Sequence, residues 1–402
     1  MGWTGQLPDA LTAETGGKIV LLVADGLGGL PHPQTGLTEL ETARTPNLDA
    51  LVNEGASGLH IPIAPGITPG SGPAHMGLFG YDPIEYLIGR GVLEALGIGF
   101  DLLEGDVAVR INFATVDAEG NITDRRAGRI ANELCEELSA RLDTIELPGV
   151  ELFFRPVKEH RAALVLRGEG LAGDLNDTDP QATGVPPLPV TARCPEEERT
   201  AELLNVFVAK AREMLADQPK ANAITLRGIA ERTKIPTFGE RFKLRAAAIA
   251  GYPMYRGVAG LVGMDVLPIA SSPDAMATML GEYWDDYDFF FMHYKYTDST
   301  GEDGDFDAKV KATEEFDTVI PGVLSVKPDV LLVTGDHSTP SALASHSWHP
   351  VPVALASDAI RRDGSTVFGE TACLTGSLGR VRAMDLMPLM LAHAGRLAKF
   401  GA

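Results

Sequence analysis

Several kinds of residue are scarce in this chain, and each shortage excludes a class of protein. Three cysteines occur among 402 residues, and none of them forms a Cys-X-X-Cys pair. This excludes a disulfide framework and favours a reducing, cytoplasmic location. Lys and Arg number 34 against 55 Asp and Glu, which gives a formal net charge of −21. The chain therefore lacks the basic surface that binding to nucleic acid or an anionic membrane requires, and no apolar run is long enough to span a bilayer.

Buried strands and amphipathic helices alternate along both ends of the chain. The segments KIVLLVADGLGG, DFFFMHYKYTDSTGED, PDVLLVTGDHSTP and PVPVALAS are typical of buried strands, and KVKATEEFDTVIPGVLSV is typical of an amphipathic helix. A short helix is predicted over TPNLDALVNEG, with Thr45 as its cap. The alternation predicts an α/β fold with a mostly parallel sheet covered by helices on both faces.

The middle of the chain has a different pattern. Strand-like segments such as VAVRINFATV and RAALVLRG stand beside one long helix, AELLNVFVAKAREMLAD, which indicates a mixed α+β domain. Because 402 residues exceed one ordinary core, we expect two domains. Residues 1–106 and 263–402 are predicted to form the α/β domain, and residues 107–262 an inserted α+β domain.

Acidic and histidine side chains follow the predicted strands. In open α/β sheets the ligands bind outside the carboxyl ends of the strands, so these side chains are expected to converge. Carboxylates suit hard divalent ions, and imidazole suits manganese, zinc and other transition ions. The candidate metal ligands are Asp25, Asp298, Glu302, Asp336, His337 and His346.

Each candidate also has an ordinary structural explanation. Asp25 suits a loop-capping turn, Asp298 and Glu302 suit a solvated acidic loop, and the histidines suit hydrogen-bonded loop positions. His349 competes with His346 in the segment SHSWHP. The metal interpretation depends on the candidates taken together, since all of them lie where strands end.

One serine lies in a turn rich in glycine and proline, within ITPGSGPAHMGLFGYDP. Gly and Pro at these positions are explained by a loop that needs their backbone conformations. The alternative is that Ser71 is a nucleophile held on a loop. Its hydroxyl is weak at neutral pH unless a metal ion or a base activates it.

The motifs VADGLGG, TPNLD, PGSGPAH, DSTGEDGDFDAKV, TGDHSTP and HSWHPVP occur in this order. Together they resemble the archaeal-type cofactor-independent phosphoglycerate mutases of the alkaline phosphatase superfamily. The inserted segment is similar to that family through INFAT, DRRAGR, RAALVLRGEG, DTDP and YRGVAGLVGMDV. The resemblance implies an alkaline-phosphatase-like catalytic domain and an inserted substrate-binding domain.

The resemblance also implies two divalent metal ions. The sequence departs from the family pattern at Glu302, where a histidine is usual. Four carboxylates favour manganese or magnesium, and cobalt or zinc remain alternatives. The implied ligands are Asp25, Ser71, Asp336 and His337 for one ion, and Asp298, Glu302 and His346 for the other.

The implied reaction interconverts 3-phosphoglycerate and 2-phosphoglycerate in glycolysis and gluconeogenesis. Ser71 receives the phosphoryl group and returns it to glycerate, without 2,3-bisphosphoglycerate as a cofactor. Asp124 and Arg125 are the further implied catalytic residues, and His293 is as well explained by a core position. The implied substrate-binding residues are His75, Arg126, Arg129, Arg161, Arg167, Arg227 and Lys295.

Two other functions stay open at this point, as does the oligomeric state. One is a metal-dependent phosphomonoesterase, or a phosphotransferase to another small alcohol such as homoserine. The other is a non-catalytic protein that binds metal or phosphate. An assay that separates 2-phosphoglycerate from free phosphate discriminates among all three.

Overall fold

The computed structural model describes residues 11–173, 175–232 and 234–401. The chain divides into two compact units, Met1–Leu87 with Ile235–Ala402, and Ile88–Lys234. We call them the split unit and the inserted unit. The predicted boundaries at 106/107 and 262/263 were therefore wrong, because residues 88–106 belong to the inserted unit and residues 235–262 to the split unit. The functions assigned to the two domains stay predictions.

The strands and helices follow one another along the chain in a mixed order. The strands are β1 (Ile19–Ala24), β2 (Ala56–Ile61), β3 (Val107–Val116), β4 (Ile122–Asp124), β5 (Glu151–Lys158), β6 (Arg161–Arg167), β7 (Ala223–Glu231), β8 (Ala246–Ala250), β9 (Asp265–Val266), β10 (Phe289–Tyr294), β11 (Val330–Thr334), β12 (Val351–Ser357) and β13 (Gly379–Arg382). The helices are α1 (Glu39–Thr42), α2 (Pro46–Glu54), α3 (Ser71–Leu78), α4 (Arg90–Gly97), α5 (Asn132–Leu142), α6 (Glu198–Met214), α7 (Phe238–Phe242), α8 (Pro253–Leu261), α9 (Pro273–Tyr283), α10 (Tyr296–Glu302), α11 (Phe306–Asp317), α12 (Ile320–Ser325), α13 (Glu370–Cys373) and α14 (Leu386–His393).

An eight-stranded sheet forms the split unit, in the order β13-β2-β12-β11-β1-β10-β8-β9. β1 pairs in parallel with β10 and β11, β8 pairs in parallel with β10 and β9, and β13 pairs in parallel with β2. β12 runs antiparallel to β11 and β2. The predicted α/β fold with a mostly parallel sheet is confirmed.

Helices cover both faces of this sheet, as expected for strands that are apolar throughout. Successive side chains of a strand point to opposite faces. Phe290 packs into a core shared with residues of α2, α9, α11 and α12. Phe289 and Phe291 point the other way, where their rings lie 4.7 Å from Phe238 and 4.8 Å from Phe79.

Three local predictions need correction. The helix predicted over KVKATEEFDTVIPGVLSV is divided into α11 and α12, and Pro321 lies in the first turn of α12, where its missing N–H is tolerated. Ser71 is the first residue of α3 rather than a loop residue. Thr45 occupies the N-cap position of α2, but its side chain makes no capping hydrogen bond.

The inserted unit contains a five-stranded sheet in which β3 pairs antiparallel with β4, β6 and β7. Alternation along β3 places Val109, Ile111 and Phe113 in a core with residues of α5 and α6. Arg110 and Asn112 therefore occupy the opposite face of this sheet. The unit has the α+β character predicted for the inserted segment. Within the described ranges, no helix combines the length and the apolar character needed to cross a bilayer.

Candidate functional site

The carboxyl ends of β1, β10 and β11 bring the predicted metal ligands together. The ligand atoms of Asp25, Asp336 and His337 lie within 4.8 Å of one another, and we call this group the first cluster. Those of Asp298, His337 and His346 satisfy the same limit and form the second cluster. Because the three strands are parallel neighbours, the loops that follow them meet at one edge of the sheet.

Thr339 determines which nitrogen of His337 is protonated. The Thr339 hydroxyl lies 2.5 Å from Asp298 Oδ1 and 3.0 Å from His337 Nδ1. A carboxylate only accepts, so the hydroxyl donates to Asp298 and accepts from His337 Nδ1–H. The His337 Nε2 lone pair is consequently exposed to the first cluster, which is the arrangement that a metal ligand requires.

The first cluster consists of acceptors that face acceptors. His337 Nε2 lies 3.1 Å from Asp336 Oδ2 and 3.4 Å from Asp25 Oδ1. These two oxygens are buried, and neither has a hydrogen-bond partner. Ser71 Oγ lies 3.3 Å from the same His337 nitrogen. The Ser71 hydroxyl can donate to His337 Nε2, but the two carboxylate oxygens make no hydrogen bond. Three converging lone pairs of this kind fit a cation, because buried charge must be compensated.

The second cluster repeats this arrangement nearer the surface. The His346 Nδ1–H donates to the Pro69 carbonyl at 3.0 Å, which turns Nε2 toward the carboxylates. Nε2 lies 3.7 Å from Asp298 Oδ1 and 3.6 Å from Glu302 Oε1. The His337 and His346 rings stack with centroids 3.7 Å apart. The residues present thus fit a second divalent ion.

Glu302 stands at the rim of the second cluster and is 52% exposed. Its hydrogen bond with His346 lowers the pKa of Glu302. Burial opposes protonation of His346, yet the same hydrogen bond raises the pKa of that imidazole. The ligand role of Glu302 stays a prediction. In the described part of the chain, neither His349 nor Asp303 belongs to a cluster.

The buried carboxylates outnumber the cations beside them. Lys295 Nζ lies 3.0 Å from Asp25 Oδ2 and also contacts Asp298. Burial resists ionisation of Asp25, but His293 and Lys295 hold its pKa well below the usual range. Burial and repulsion from Asp25 raise the pKa of Asp336. The two carboxylates together carry more negative charge than the protein compensates. Lys295, predicted to contact phosphate, here bridges two predicted ligands.

Ser71 begins helix α3, so the positive end of the helix dipole favours negative charge at its hydroxyl. His75, one turn further on, was predicted to bind substrate, but its ring is fully buried. His75 Nδ1 lies 2.8 Å from the Ser71 carbonyl and 3.3 Å from Asp336 Oδ2. Burial lowers the pKa of His75 to about 3. The structure therefore places His75 behind Ser71 and Asp336, as a support for both.

Tyr255 is a site residue that the sequence analysis missed. Its hydroxyl donates to Asp25 Oδ2, and Lys295 Nζ lies 3.3 Å from the same hydroxyl. The Tyr255 ring stacks on His293 with centroids 3.8 Å apart, and His293 Nε2 lies 3.5 Å from Asp25 Oδ2. Tyr255 lies in the motif YRGVAGLVGMDV, but no spacing rule indicated that its hydroxyl would reach Asp25.

The loop DRRAGR of the inserted unit is held by Asp124. This carboxylate accepts from the backbone amides of Arg126 at 2.8 Å and Gly128 at 2.6 Å. Ala127, Gly128 and Arg129 follow with φ values of 48°, 64° and 51°, a left-handed conformation that is costly for the two residues with a Cβ. Asp124, predicted to be catalytic, is engaged by its own loop, and that predicted role finds no support in these contacts.

Arg125 forms a bidentate pair with Asp179, at 2.9 Å and 2.8 Å. The side chain of Asp179 is fully buried. Burial raises the pKa of this carboxyl, but the bond from Arg125 more than compensates and lowers it. Arg227 Nε approaches Asp177 at 3.5 Å and Asp179 at 3.8 Å. The two predicted arginines thus share a buried carboxylate, and Asp179 was missed.

A polar face lies on the β3–β6–β7 part of the inserted sheet. Arg110 on β3 is opposite Arg227 on β7, and Asn112 is opposite Arg161 on β6 and Thr225 on β7. Directly opposite residues share a face of an antiparallel pair. We call these five residues the arginine face. Two of its members were predicted to bind substrate, Arg161 and Arg227.

Several donors and acceptors of the arginine face have no hydrogen-bond partner although they are buried. They are Arg110 Nε, Arg227 Nε, Asn112 Oδ1 and Thr225 Oγ1. Burial lowers the pKa of Arg110, and Glu94, whose Oε2 lies 3.8 Å from Arg110 Nε, opposes that change. The charges of Arg161, Arg227 and Arg90 lower the pKa further. Converging cations with unpartnered N–H groups fit a small anion that carries hydroxyl groups.

The remaining predicted arginines divide into two groups. Burial, together with the charges of Arg161, Arg126 and Arg129, lowers the pKa of His160, so these arginines lie near one another. Arg167 lies at the far end of β6 and binds both oxygens of Asp106, at 2.9 Å and 2.7 Å. Arg167 is thus engaged in an ion pair, and its predicted contact with substrate stays a prediction.

The fold and the clusters define a class: α/β proteins with clusters of candidate metal ligands at the carboxyl edge of a sheet, beside a candidate serine nucleophile. A family model described as "2,3-bisphosphoglycerate-independent phosphoglycerate mutase" matches residues 53–221. A Thermus thermophilus protein named "Probable 2,3-bisphosphoglycerate-independent phosphoglycerate mutase" is 51% identical over 397 residues, which cover 98% of each chain.

Two solved structures resemble the whole chain. The PH0037 protein from Pyrococcus horikoshii has a TM-score of 0.82 and 32% identity, over 96% of this chain and 100% of that one. The cofactor-independent phosphoglycerate mutase from Thermoplasma acidophilum has a TM-score of 0.75 and 31% identity, over 94% and 100%. The chain belongs to the family of 2,3-bisphosphoglycerate-independent phosphoglycerate mutases, which confirms the resemblance and the enzyme class predicted from the sequence.

Proposed function

We propose that this enzyme interconverts 3-phosphoglycerate and 2-phosphoglycerate through a phosphoserine at Ser71, with two divalent metal ions bound by the two clusters. The observation that carries the proposal is the first cluster, in which His337 Nε2 lies within 3.4 Å of Ser71 Oγ and of the unpartnered oxygens of Asp25 and Asp336. Family membership supports the substrate and the independence from 2,3-bisphosphoglycerate.

The residues that would hold the ions are Asp25, Ser71, Asp336 and His337 for one ion, and Asp298, Glu302 and His346 for the other. Bound divalent cations would neutralise phosphate charge and lower the pKa of a hydroxyl beside them. We propose manganese as the native metal, since four carboxylates among the ligands favour manganese or magnesium over zinc. Cobalt remains a further candidate.

The chain's own groups would carry the phosphoryl group in two displacements. In the first, Ser71 Oγ attacks phosphorus, the bond from phosphorus to the 3-oxygen of phosphoglycerate breaks, and the serine proton passes to that oxygen. In the second, the 2-hydroxyl of glycerate attacks the phosphoserine, loses its proton, and releases Ser71 protonated. Ser71 at the start of α3 is oriented so that the helix dipole favours the charge that develops on its oxygen.

The arginine face would bind the glycerate carboxylate and hydroxyls. Arg110 and Arg227 offer Nε–H groups that make no hydrogen bond, and Asn112 and Thr225 offer oxygens that could accept from hydroxyl groups. A mutase must retain glycerate between the two displacements and keep water away from the phosphoserine. We propose that the inserted unit has this task.

Product partitioning tests the proposal. Purified protein is given 3-phosphoglycerate, and 2-phosphoglycerate and inorganic phosphate are followed together by phosphorus NMR. We expect 2-phosphoglycerate to accumulate to equilibrium with little free phosphate. Exhaustive chelation should abolish turnover, and manganese should restore it better than zinc.

Two results would contradict the proposal in different ways. If inorganic phosphate is the main product, the chain is a phosphomonoesterase and the mutase assignment fails. If chelated protein that is free of metal by elemental analysis keeps full activity, the metal clusters have another role. Transfer to an added alcohol such as homoserine would identify the phosphotransferase alternative.

A further inference from the structure

One buried lysine contacts the loops that carry the first cluster. Lys309, on helix α11, is completely buried. Its ammonium group donates to three backbone carbonyls, those of Gly26 at 2.9 Å, Gly28 at 2.9 Å and Thr339 at 2.7 Å. An ammonium group has three N–H donors, so these three acceptors saturate it.

A buried charge of this kind is costly unless the surroundings compensate it. No carboxylate appears among the hydrogen-bond acceptors described for Lys309. Burial lowers the pKa of Lys309, while the charges of Glu39, Glu370, Asp298 and Asp25 oppose that change. Its charge therefore interacts at longer range with the carboxylates of the site, and its hydrogen bonds are used entirely on backbone.

The three carbonyls belong to the two loops that carry the first cluster. Gly26 and Gly28 follow Asp25 after β1, and Thr339 follows His337 after β11. The loops also meet directly, because the Thr339 amide donates to the Gly26 and Gly28 carbonyls at 3.2 Å and 3.0 Å. These two carbonyls thus accept both from the Thr339 amide and from the Lys309 ammonium group. The ammonium group belongs to helix α11 and to neither loop.

The approach of the loops leaves little freedom. Gly26 has φ of 62°, and a Cβ at this position would lie 2.5 Å from Thr339 Oγ1. That oxygen is the one that orients His337 and Asp298. A loosened contact between the loops would therefore displace ligands of both clusters.

We propose that Lys309 is a positioning residue that clamps the two loops, so that the clusters are assembled before metal ions bind. This inference rests on the proposed metal sites. The buried ammonium group acts as a structural metal cation would, because carbonyl oxygens from separate segments surround its positive charge. Its effect is on metal affinity, through the placement of Asp25, His337 and Asp298.

The test compares Lys309→Met with Lys311→Met in the full chain. Methionine keeps an unbranched side chain and removes the donors, and Lys311 is an exposed lysine on the same helix. Manganese binding to metal-free protein is measured by isothermal titration calorimetry. We expect Lys309→Met to weaken binding by about 10- to 100-fold, the usual range for loss of a group that supports metal ligands. Lys311→Met should bind as the wild type does.

Circular dichroism and thermal unfolding separate this effect from a general loss of stability. A purely structural role would lower the melting temperature of Lys309→Met and leave its manganese affinity unchanged, and that result overturns the proposal. Lys309→Gln, which retains a donor, is the second variant, and its affinity should fall between wild type and Lys309→Met. If both variants fail to fold while Lys311→Met folds, Lys309 belongs to the fold and the proposal is also overturned. A wild-type chain that binds no manganese would instead contradict the proposed metal sites.

Discussion

The two charged regions of this enzyme differ in how far the protein satisfies them. In the clusters of the split unit, buried acceptors face one another, and one oxygen each of Asp25 and Asp336 has no hydrogen-bond partner. In the inserted unit most of the buried charge is already paired, as Arg125 with Asp179 and Arg167 with Asp106 show. The first region fits a cation from outside the chain, whereas the second is largely neutralised from within.

This difference teaches how to interpret charged residues near a site. An arginine motif indicates positive charge but not its availability, because a buried carboxylate can occupy the guanidinium fork. The arginines best suited to bind an anion are Arg110 and Arg227, whose Nε–H groups make no hydrogen bond. Each has a carboxylate nearby, but only at 3.5 to 3.8 Å. In the acidic clusters the carboxylates outnumber the cations beside them, so their side chains suit added positive charge.

Removing the nucleophile should have the largest effect. Ser71→Ala is expected to reduce turnover by at least about a thousandfold, as loss of a catalytic nucleophile commonly does. The clusters keep their carboxylates and imidazoles, so manganese binding should weaken only modestly. Turnover and calorimetric manganese binding are measured on the same preparation, with circular dichroism as the control for folding. Near-normal turnover in a folded variant would exclude a phosphoserine at this position.

The next prediction contrasts Arg110, whose Nε–H makes no hydrogen bond, with Arg167, whose guanidinium group binds both oxygens of Asp106. Arg110→Met should raise the KM for 3-phosphoglycerate by roughly 10- to 150-fold, because a hydrogen bond to a charged group contributes about 1.5–3 kcal/mol. Arg167→Met should leave KM near the wild-type value. It should instead destabilise the inserted unit by about 3 kcal/mol, since the buried Asp106 loses its partner.

Steady-state kinetics and urea unfolding of both variants check this pair of expectations. The comparison between the two regions depends on the contrast rather than on either value alone. A large KM effect for Arg167→Met with unchanged stability would show that the Asp106 pair opens when substrate binds. Equal KM values for Arg110→Met and wild type would remove Arg110 from the proposed substrate site.

Much of the fold could be predicted from periodicity and from residues that end elements. Apolar runs gave β1, β10, β11 and β12, since buried parallel strands need apolar side chains on both faces. The antiparallel direction of β12 could not be predicted, because pairing direction depends on the whole sheet. The domain boundaries were wrong because β8 has the same apolar character as its neighbours in the sheet, and no composition change marks residues 235–262 as part of the split unit.

Some residues of the site could likewise be predicted from the sequence, and others could not. Asp25, Asp336 and His337 converge as expected, because strand ends of a parallel sheet lie at one edge. Tyr255, Lys309 and Arg110 were missed, since each acts through contacts made by distant segments that spacing along the chain does not reveal. His75 was misplaced for a related reason. Its position four residues after Ser71 indicated proximity but not the direction of its ring, which packing determines.

The stability of the protein in acid should depend on His60, a buried histidine that contacts the residue before Asp336. His60 donates from Nε2 to the Gly335 carbonyl at 2.9 Å, and burial lowers the pKa of His60 from 6.5 to about 4. The unfolded chain therefore binds a proton more readily than the native one, so stability is lost as the pH falls from 6.5 toward 4. Between pH 7 and pH 5 this loss amounts to about 2 kcal/mol.

His60→Gln keeps a donor for the Gly335 carbonyl and removes the titration. The free energy of unfolding of metal-free protein is measured in urea at pH 7 and pH 5, for wild type and variant. We expect the variant to lose about 2 kcal/mol less than wild type across this interval. His32→Gln, at a partly exposed position, is the control and should follow the wild type. An unchanged pH dependence in His60→Gln would show that other groups govern the acid limb.

The smallest expected effect concerns Glu302, where the clusters meet solvent. Because Glu302 is 52% exposed and lies 3.6 Å from His346 Nε2, it contributes one screened charge to an ion that Asp298 and His346 hold from the buried side. Glu302→Ala should therefore weaken one of two manganese sites by about tenfold, or 1.4 kcal/mol, and leave the other unchanged. Glu302→His should keep both sites and shift the preference of one toward zinc, since imidazole is a softer ligand than carboxylate. Calorimetric titrations with manganese and zinc distinguish these outcomes. Unaltered binding of both ions to Glu302→Ala would place Glu302 outside the coordination sphere. It would leave the second ion to Asp298 Oδ1 and His346 Nε2, which lie 3.7 Å apart.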